Sequence, residues 1–138
     1  MAEDLKAIVQ RFNDEVISQG KVELIDELVA DDFVEHQAPP GAPNGKEAVR
    51  AFTETFRAAF PDLTMKTLGT VAEGDEVWFY STMSGTHEGE FMGIPATGKK
   101  FEVAGFDRVR FKDGKAVEHW GVFEDMSMMQ QLGVIPDM

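Results

Sequence analysis

Residues 101–123 read FEVAGFDRVRFKDGKAVEHWGVF, and their spacing decides the fold class of the second half of the chain. Phe101, Val103, Gly105, Asp107, Val109 and Phe111 fall on alternate positions, so in an extended strand they share one face, with Arg108 and Arg110 on the other. Asp113-Gly114 is a reversal signal, after which Val117, His119, Gly121 and Phe123 alternate in their turn. Two registers are open. A three-residue loop with a glycine bulge sets Asp107 opposite Gly121 and turns His119 to the Asp107 face. A two-residue loop sets Trp120 opposite Asp107 and turns Glu118 inward. The first is favoured because it keeps Val117 and Phe123 inside.

The same period of two extends upstream, through strands expected at Thr64–Ala72 and Glu76–Thr86 around a turn at Gly74-Asp75, then at Lys100–Lys112 and Lys115–Glu124. GEFMGIPATGK, 89–99, reads as the loop between the middle strands. Before Leu63 the period is helical. Leu5, Ile8, Val9, Phe12 and Val16 mark a first helix ending near Gly20, and Val22, Ile25 and Leu28 a second. DDFVEH is a brief extended segment running into a Pro39-Pro40 loop. Asn44–Phe60 is a third helix, with Asn44 and Glu47 as its capping pair and Pro61 as its stop. A last helical turn or two spans Met126–Leu132, its methionines packing. Helices first and a curved sheet second give an α+β fold, an antiparallel or mixed sheet covered on one face by N-terminal helices.

The chain has 138 residues, 13 basic and 25 acidic side chains and a net charge of -12. That is room for one domain, 1–138, with a core that needs no staples. Without cysteine there is no disulfide, thiolate nucleophile or cysteine-held metal. The acidic balance, with no basic cluster longer than Lys99-Lys100, excludes a nucleic-acid partner. No apolar run approaches the roughly 18 residues of a membrane span, and MAEDLKAIV has no leader character. The expectation is a soluble, cytoplasmic protein with no membrane partner.

Asp107 interrupts an otherwise apolar strand face. An ionised, lone carboxylate there is costly, so it must be paired, hydrogen-bonded, hydrated in a cavity or held protonated. The last two options describe a general acid/base. The alternatives are a rotated or bulged strand, or a pairing with arginine. His119 can orient that acid, bind a substrate oxygen or sit as a hydrogen-bonded core histidine. His87, at a strand end, and His36, before the proline loop, are the other two histidines. Their wide spacing carries no metal motif. No G-x-S-x-G elbow, P-loop or G-x-G-x-x-G is present.

GTHEGEFMGIPATGKKFEV followed by FDRVRFKDGKAVEHWGVFEDMSMMQQLGVI resembles the SnoaL-like polyketide cyclases, the ester cyclase family. DDFVEH, GKEAVRAF and FRAAFPDL fit as well, so the resemblance covers nearly the whole chain. It implies a cone-shaped α+β barrel like that of nuclear transport factor 2, commonly a homodimer. It implies intramolecular aldol closure of a polyketide ester, with Asp107 as acid/base and His87 and His119 beside it, and with neither metal nor other cofactor required. The implied ligand is a small apolar or polycarbonyl molecule; the alternatives are a related hydrolase or isomerase acting on a small apolar substrate in the same pocket, or a non-enzymatic ligand-binding or dimerisation domain. His36, Phe52, Phe56, Trp78, Tyr80, Phe91, Trp120 and Phe123 are expected to line its pocket. Gln37-Ala38 stand where the family commonly has Asp-Pro, and Ala96 where it usually has a second proline.

Overall fold

The computed structural model describes residues 2–38 and 40–136; the expected Pro39-Pro40 turn therefore lies partly outside the described residues. Helix α1 (Ala2–Arg11) continues into a wider-wound turn over Phe12–Ile17 and stops at Gly20, whose φ of 75° is a left-handed helix end. The second helix is split into a tight turn at Val22–Leu24 and α2 (Ile25–Leu28). Strand β1 (Val29–Glu35) follows, then α3 (Lys46–Ala59). The sheet is completed by β2 (Thr64–Glu73), β3 (Glu76–Thr86), β4 (Lys100–Lys112) and β5 (Lys115–Phe123). The last element is α4 (Asp125–Gln131).

Five strands form one mixed sheet in the order β1-β5-β4-β3-β2. The four later strands pair antiparallel, whereas β1 lies parallel to β5 at the edge. Register shifts in the β1/β5, β2/β3 and β4/β5 pairs add local twist, and this bends the sheet around the helices. The architecture is the α+β cone of nuclear transport factor 2-like proteins.

The β4–β5 hairpin reaches the favoured register by another route. Lys112 faces Lys115 across a two-residue turn, with Asp113 and Gly114 both at positive φ, the geometry of a tight hairpin reversal. The register then shifts between Arg110 and Phe111, so Ala116 and Val117 both turn toward the core, and Asp107 comes to face Gly121. The bulge lies in the strand rather than in the loop.

The capping pair expected at α3 does not form. Gly45 is the cap residue, with φ 69°, and no side chain bonds the first turn. Asn44 instead turns back to β1, where its amide receives the Glu35 N–H at 2.9 Å and donates to the Glu35 carbonyl at 3.2 Å. It supplies the ladder partner that an edge strand lacks.

Two apolar clusters fill the concave face. One holds Phe60, Met83, Phe101 and Val103 under α3 and α4; the other holds Val77, Phe79, Val109 and Phe111 under α1. Along β4 the clusters are separated by Gly105 and Asp107, and along β3 by Ser81. The polar residues of the inner face thus gather at the seam between them.

Candidate functional site

At that seam Asp107 projects from the middle of β4, and alternation places it inward with Gly105 and Val109. Its Oδ1 lies 2.7 Å from His119 Nε2 on β5. The opposite ring nitrogen, His119 Nδ1, lies 2.7 Å and 2.9 Å from the two oxygens of Glu35 on β1. One imidazole therefore bridges two carboxylates across three adjacent strands. Burial alone would pull the His119 pKa down, but the bonds to Asp107 and Glu35 outweigh it and raise the pKa to about 9. At neutral pH the ring is an imidazolium that donates from both nitrogens.

Gly121 makes this convergence possible. A Cβ there would lie 2.6 Å from Asp107 Oδ1, 2.8 Å from Gln37 Oε1 and 3.0 Å from His119 Cε1. Only a residue without a side chain leaves room for the three groups. Asp107 lines a recess of about 60 Å³, and its Oδ2 has no hydrogen-bond partner among the described residues. Apolar lining comes from Phe52, Met65, Met83, Val103 and Phe123, and polar lining from Gln37, Ser81 and Asp107 itself. The arrangement sets a carboxylate beside a mostly apolar space, with an amide and a hydroxyl nearby that can bind carbonyl oxygens.

Of the residues expected in the site, Asp107, Phe52 and Phe123 line the recess, and His119 joins them through its bond to Asp107. His87 does not. Phe79 is the β3 residue opposite Asp107, and His87 lies eight positions beyond it, roughly 25 Å of strand. There it is fully buried against Phe60, and its Nδ1 accepts from Thr97, 3.3 Å to the backbone N–H and 3.0 Å to the hydroxyl. It anchors the 89–99 loop. Phe91 of that loop and Phe56 pack on each other and on Phe60 as core rather than as recess lining.

His36, Trp78, Tyr80 and Trp120 lie on the opposite, convex face of the sheet. Trp78, Arg108 and Trp120 align across β3, β4 and β5, an outward-facing row. The Arg108 guanidinium sits 4.1 Å over the Trp120 ring and pairs with Glu76, and His36 stacks on Trp120 at 4.6 Å. Aromatic identity marked these four, but strand parity sends them away from Asp107. Parity also carries Arg110 outward to Glu118.

Glu35, Gln37, Ser81, Met65 and Met83 were not picked out from the residue pattern. Ser81 carried the same signal as Asp107, a polar residue in the alternation Val77, Phe79, Ser81, Met83. Glu35 carried a subtler one. Val34-Glu35-His36 and Val117-Glu118-His119 are the same tripeptide, set side by side on the parallel β1–β5 pair with Glu35 opposite His119 and Val34 opposite Glu118. That stagger pairs Glu35 with His119 inside and His36 with Glu118 outside. Among the described residues no group of three or more His, Asp and Glu side chains is arranged to hold a metal ion.

The model of the SnoaL-like polyketide cyclases matches residues 7–132. The aklanonic acid methyl ester cyclase DauD of Streptomyces sp. (strain C5) is 26% identical over 122 residues, 86% of this chain and 76% of DauD. The solved structure of IdmH, a candidate polyketide cyclase from Streptomyces antibioticus, superposes with a TM-score of 0.82 at 34% identity. It covers 94% of this chain and 98% of IdmH. AclR, a candidate hydroxylase from Streptomyces galilaeus, superposes at 0.87 with 28% identity over 100% of this chain and 86% of its own.

Proposed function

The chain belongs to the SnoaL-like polyketide cyclase family, and from that membership we propose that it closes a ring within a small polycarbonyl substrate by acid/base catalysis at Asp107. The observation that supports this is the pair of unlike oxygens on one carboxylate that lines the recess: Oδ1 tied to His119 Nε2 at 2.7 Å, and Oδ2 without a hydrogen-bond partner among the described residues.

Asp107 Oδ2 removes a proton from a carbon between two carbonyls, and the C–H electron pair becomes an enolate. The enolate carbon attacks a second carbonyl of the same molecule, forming the C–C bond. The resulting alkoxide takes the proton back from Asp107, which returns to carboxylate. No electrons leave the substrate. His119 has both nitrogens engaged, so the donors available to the enolate oxygen are the Gln37 amide and the Ser81 hydroxyl. A recess of about 60 Å³ holds only a few waters, against the roughly 300–1,000 Å³ of drug-sized sites. Substrate entry therefore displaces a wall, and Phe52, the half-exposed ring on α3, is the one placed to move.

The convex face supports pairing with a second copy. Phe106 and Val122 are exposed next to Tyr80, while the charges on that face cancel within it, Glu76 against Arg108 and Glu118 against Arg110. An apolar patch of this kind, locally neutral on a chain of net charge -12, favours self-association. Light scattering checks it: Phe106→Glu should convert a dimer to a monomer.

Two substrates test the chemistry. Deuterium uptake by a 1,3-diketone in D2O follows the first proton transfer alone, and aklanonic acid methyl ester follows ring closure. Asp107→Asn should slow both by about 10² or more relative to the parent chain. Equal rates in the two proteins would withdraw Asp107 as the base.

A further inference from the structure

Glu35 is not required by the proton transfers described above, yet it is the most restrained carboxylate at the site. Its main chain is held from the open edge of the sheet by Asn44, in both directions. On the other edge it faces His119 in the parallel ladder, and the next N–H on, that of His36, donates to the His119 carbonyl at 3.0 Å. Its side chain is only 13% exposed. Oε1 accepts from the His119 ring at 2.7 Å and from the Gln37 N–H at 3.0 Å. The same carboxylate therefore fixes both polar neighbours of Asp107: the imidazole that holds Oδ1 and the turn that carries the Gln37 amide over Gly121.

We propose that Glu35, clamped at the sheet edge by Asn44, is a positioning residue: it holds His119 as a doubly donating ring and thereby leaves Oδ2 of Asp107 as the reactive oxygen. The inference deepens the reading of Asp107 as acid/base and rests on it for its consequence in catalysis. Its structural half stands independently. Without a charge at position 35 the imidazole has one carboxylate partner instead of two, and a neutral ring can present a bare Nε2 to Asp107. The bond to Oδ1 then survives only if Asp107 itself carries the proton, and a protonated Asp107 is no base. A carboxylate on each ring nitrogen gives both N–H groups a partner and keeps the ring's orientation single.

The test reads the His119 ring directly, in the full chain and without substrate. Nitrogen-15 NMR distinguishes an imidazolium from either neutral tautomer. In the parent chain His119 should be about nine-tenths imidazolium at pH 8, as a pKa of about 9 requires. Glu35→Gln keeps the side chain's shape and an acceptor oxygen but loses its charge. With one adjacent charge gone the imidazolium fraction at pH 8 should fall to about half or less. Asn44→Ala should leave the ring charged but broaden or split its signal, because the Glu35 main chain is no longer held. Should Glu35→Gln fail to fold, Glu35→Asp keeps the charge but withdraws it from Nδ1, so a smaller fall in the imidazolium fraction is expected, and an unchanged fraction overturns the proposal. A His119 signal unchanged in folded Glu35→Gln overturns the proposal. Deuterium uptake by the 1,3-diketone separates this from the reading of Asp107. If Asp107→Asn exchanges at the parent rate, the base assignment fails while the ring measurement still judges Glu35. If Asp107→Asn is slow but folded Glu35→Gln exchanges as the parent does, Asp107 stands and Glu35 positions nothing that matters to it.

Discussion

The two faces of the β1–β5 pair carry the same chemistry in different surroundings. Inside, Glu35 meets His119; outside, His36 meets Glu118, again at 2.7 Å. The inner histidine has a second carboxylate on its far side, so each ring N–H has its own anion; burial pulls its pKa down, but the two bonds outweigh that and raise it to about 9. In the outer pair it is the glutamate that is held below its usual range, first by the bond from His36 and then by the one from Arg110. Its charge is already balanced by a permanent cation, and water screens the rest. One tripeptide placed on both sides of a parallel pair thus yields a part-buried carboxylate–imidazole–carboxylate bridge on one face and an ordinary surface ion pair on the other. The third partner makes the difference, a second carboxylate inside and a guanidinium outside, not the pair itself.

The sharpest way to break the inner arrangement is to fill the space that permits it. Gly121→Ala puts a methyl carbon 2.6 Å from Asp107 Oδ1 and 2.8 Å from Gln37 Oε1. The atoms it meets are side-chain ends, so the fold adapts, and denaturant unfolding should show a loss of only about 1–2 kcal/mol. Proton abstraction, measured as deuterium uptake by the 1,3-diketone, should fall by about 10² or more, because displacements of an ångström or so disable a positioned base.

A second prediction concerns stability against pH. His119 has a folded pKa raised above its unfolded value of 6.5, so its contribution is fully present below about pH 6.5 and is lost as pH rises through about 9. The shift corresponds to on the order of 3 kcal/mol. Unfolding midpoints in denaturant should decline across that window in the parent chain and stay flatter in His119→Gln. A parent profile with no decline between pH 6.5 and 9 would contradict the doubly paired imidazolium.

The smallest effect is expected on the outer face. Glu118→Gln removes the partner of both His36 and Arg110, but the groups are part-exposed and screened by water, so the unfolding midpoint in denaturant should barely move and proton abstraction should be unaltered. A loss as large as that of Gly121→Ala would mean that the two faces are coupled through the backbone of β5. Between these extremes, Phe52→Ala should alter the 1,3-diketone concentration at half-maximal deuterium uptake several-fold while leaving the maximal rate within a small factor, since Phe52 lines the recess without touching Asp107's hydrogen bonds.

Much of the frame was legible because it depends on local periodicity. The bounds of β3 and β4 agree with the spacing of their apolar residues, and Asp107 declared itself as a carboxylate in an apolar alternation. The pocket list fared unevenly for a physical reason. Phe, Trp, Tyr and His identify large or polar side chains, but which face they occupy is set by strand parity, and which end of the face by sheet register. Trp78, Tyr80 and Trp120 have the wrong parity; His87 has left the strand altogether, far along it from Asp107. Asn44 resembled a helix cap because caps and edge-strand partners call for the same short amide.

By itself the amino-acid sequence determined the two periodicities, hence the helices, the antiparallel hairpins and the inward carboxylate, for these are properties of neighbours a few residues apart. It also carried the family, through motifs spread along the chain. The tertiary structure alone decided that β1 runs parallel to β5 with Glu35 opposite His119, 84 positions away. It alone decided that the hairpin gains its register from a bulge inside β5, and that Asp107 shares its imidazole with a second carboxylate. Those outcomes depend on contacts between distant segments whose register is set by packing the whole core, and packing has no local period to read.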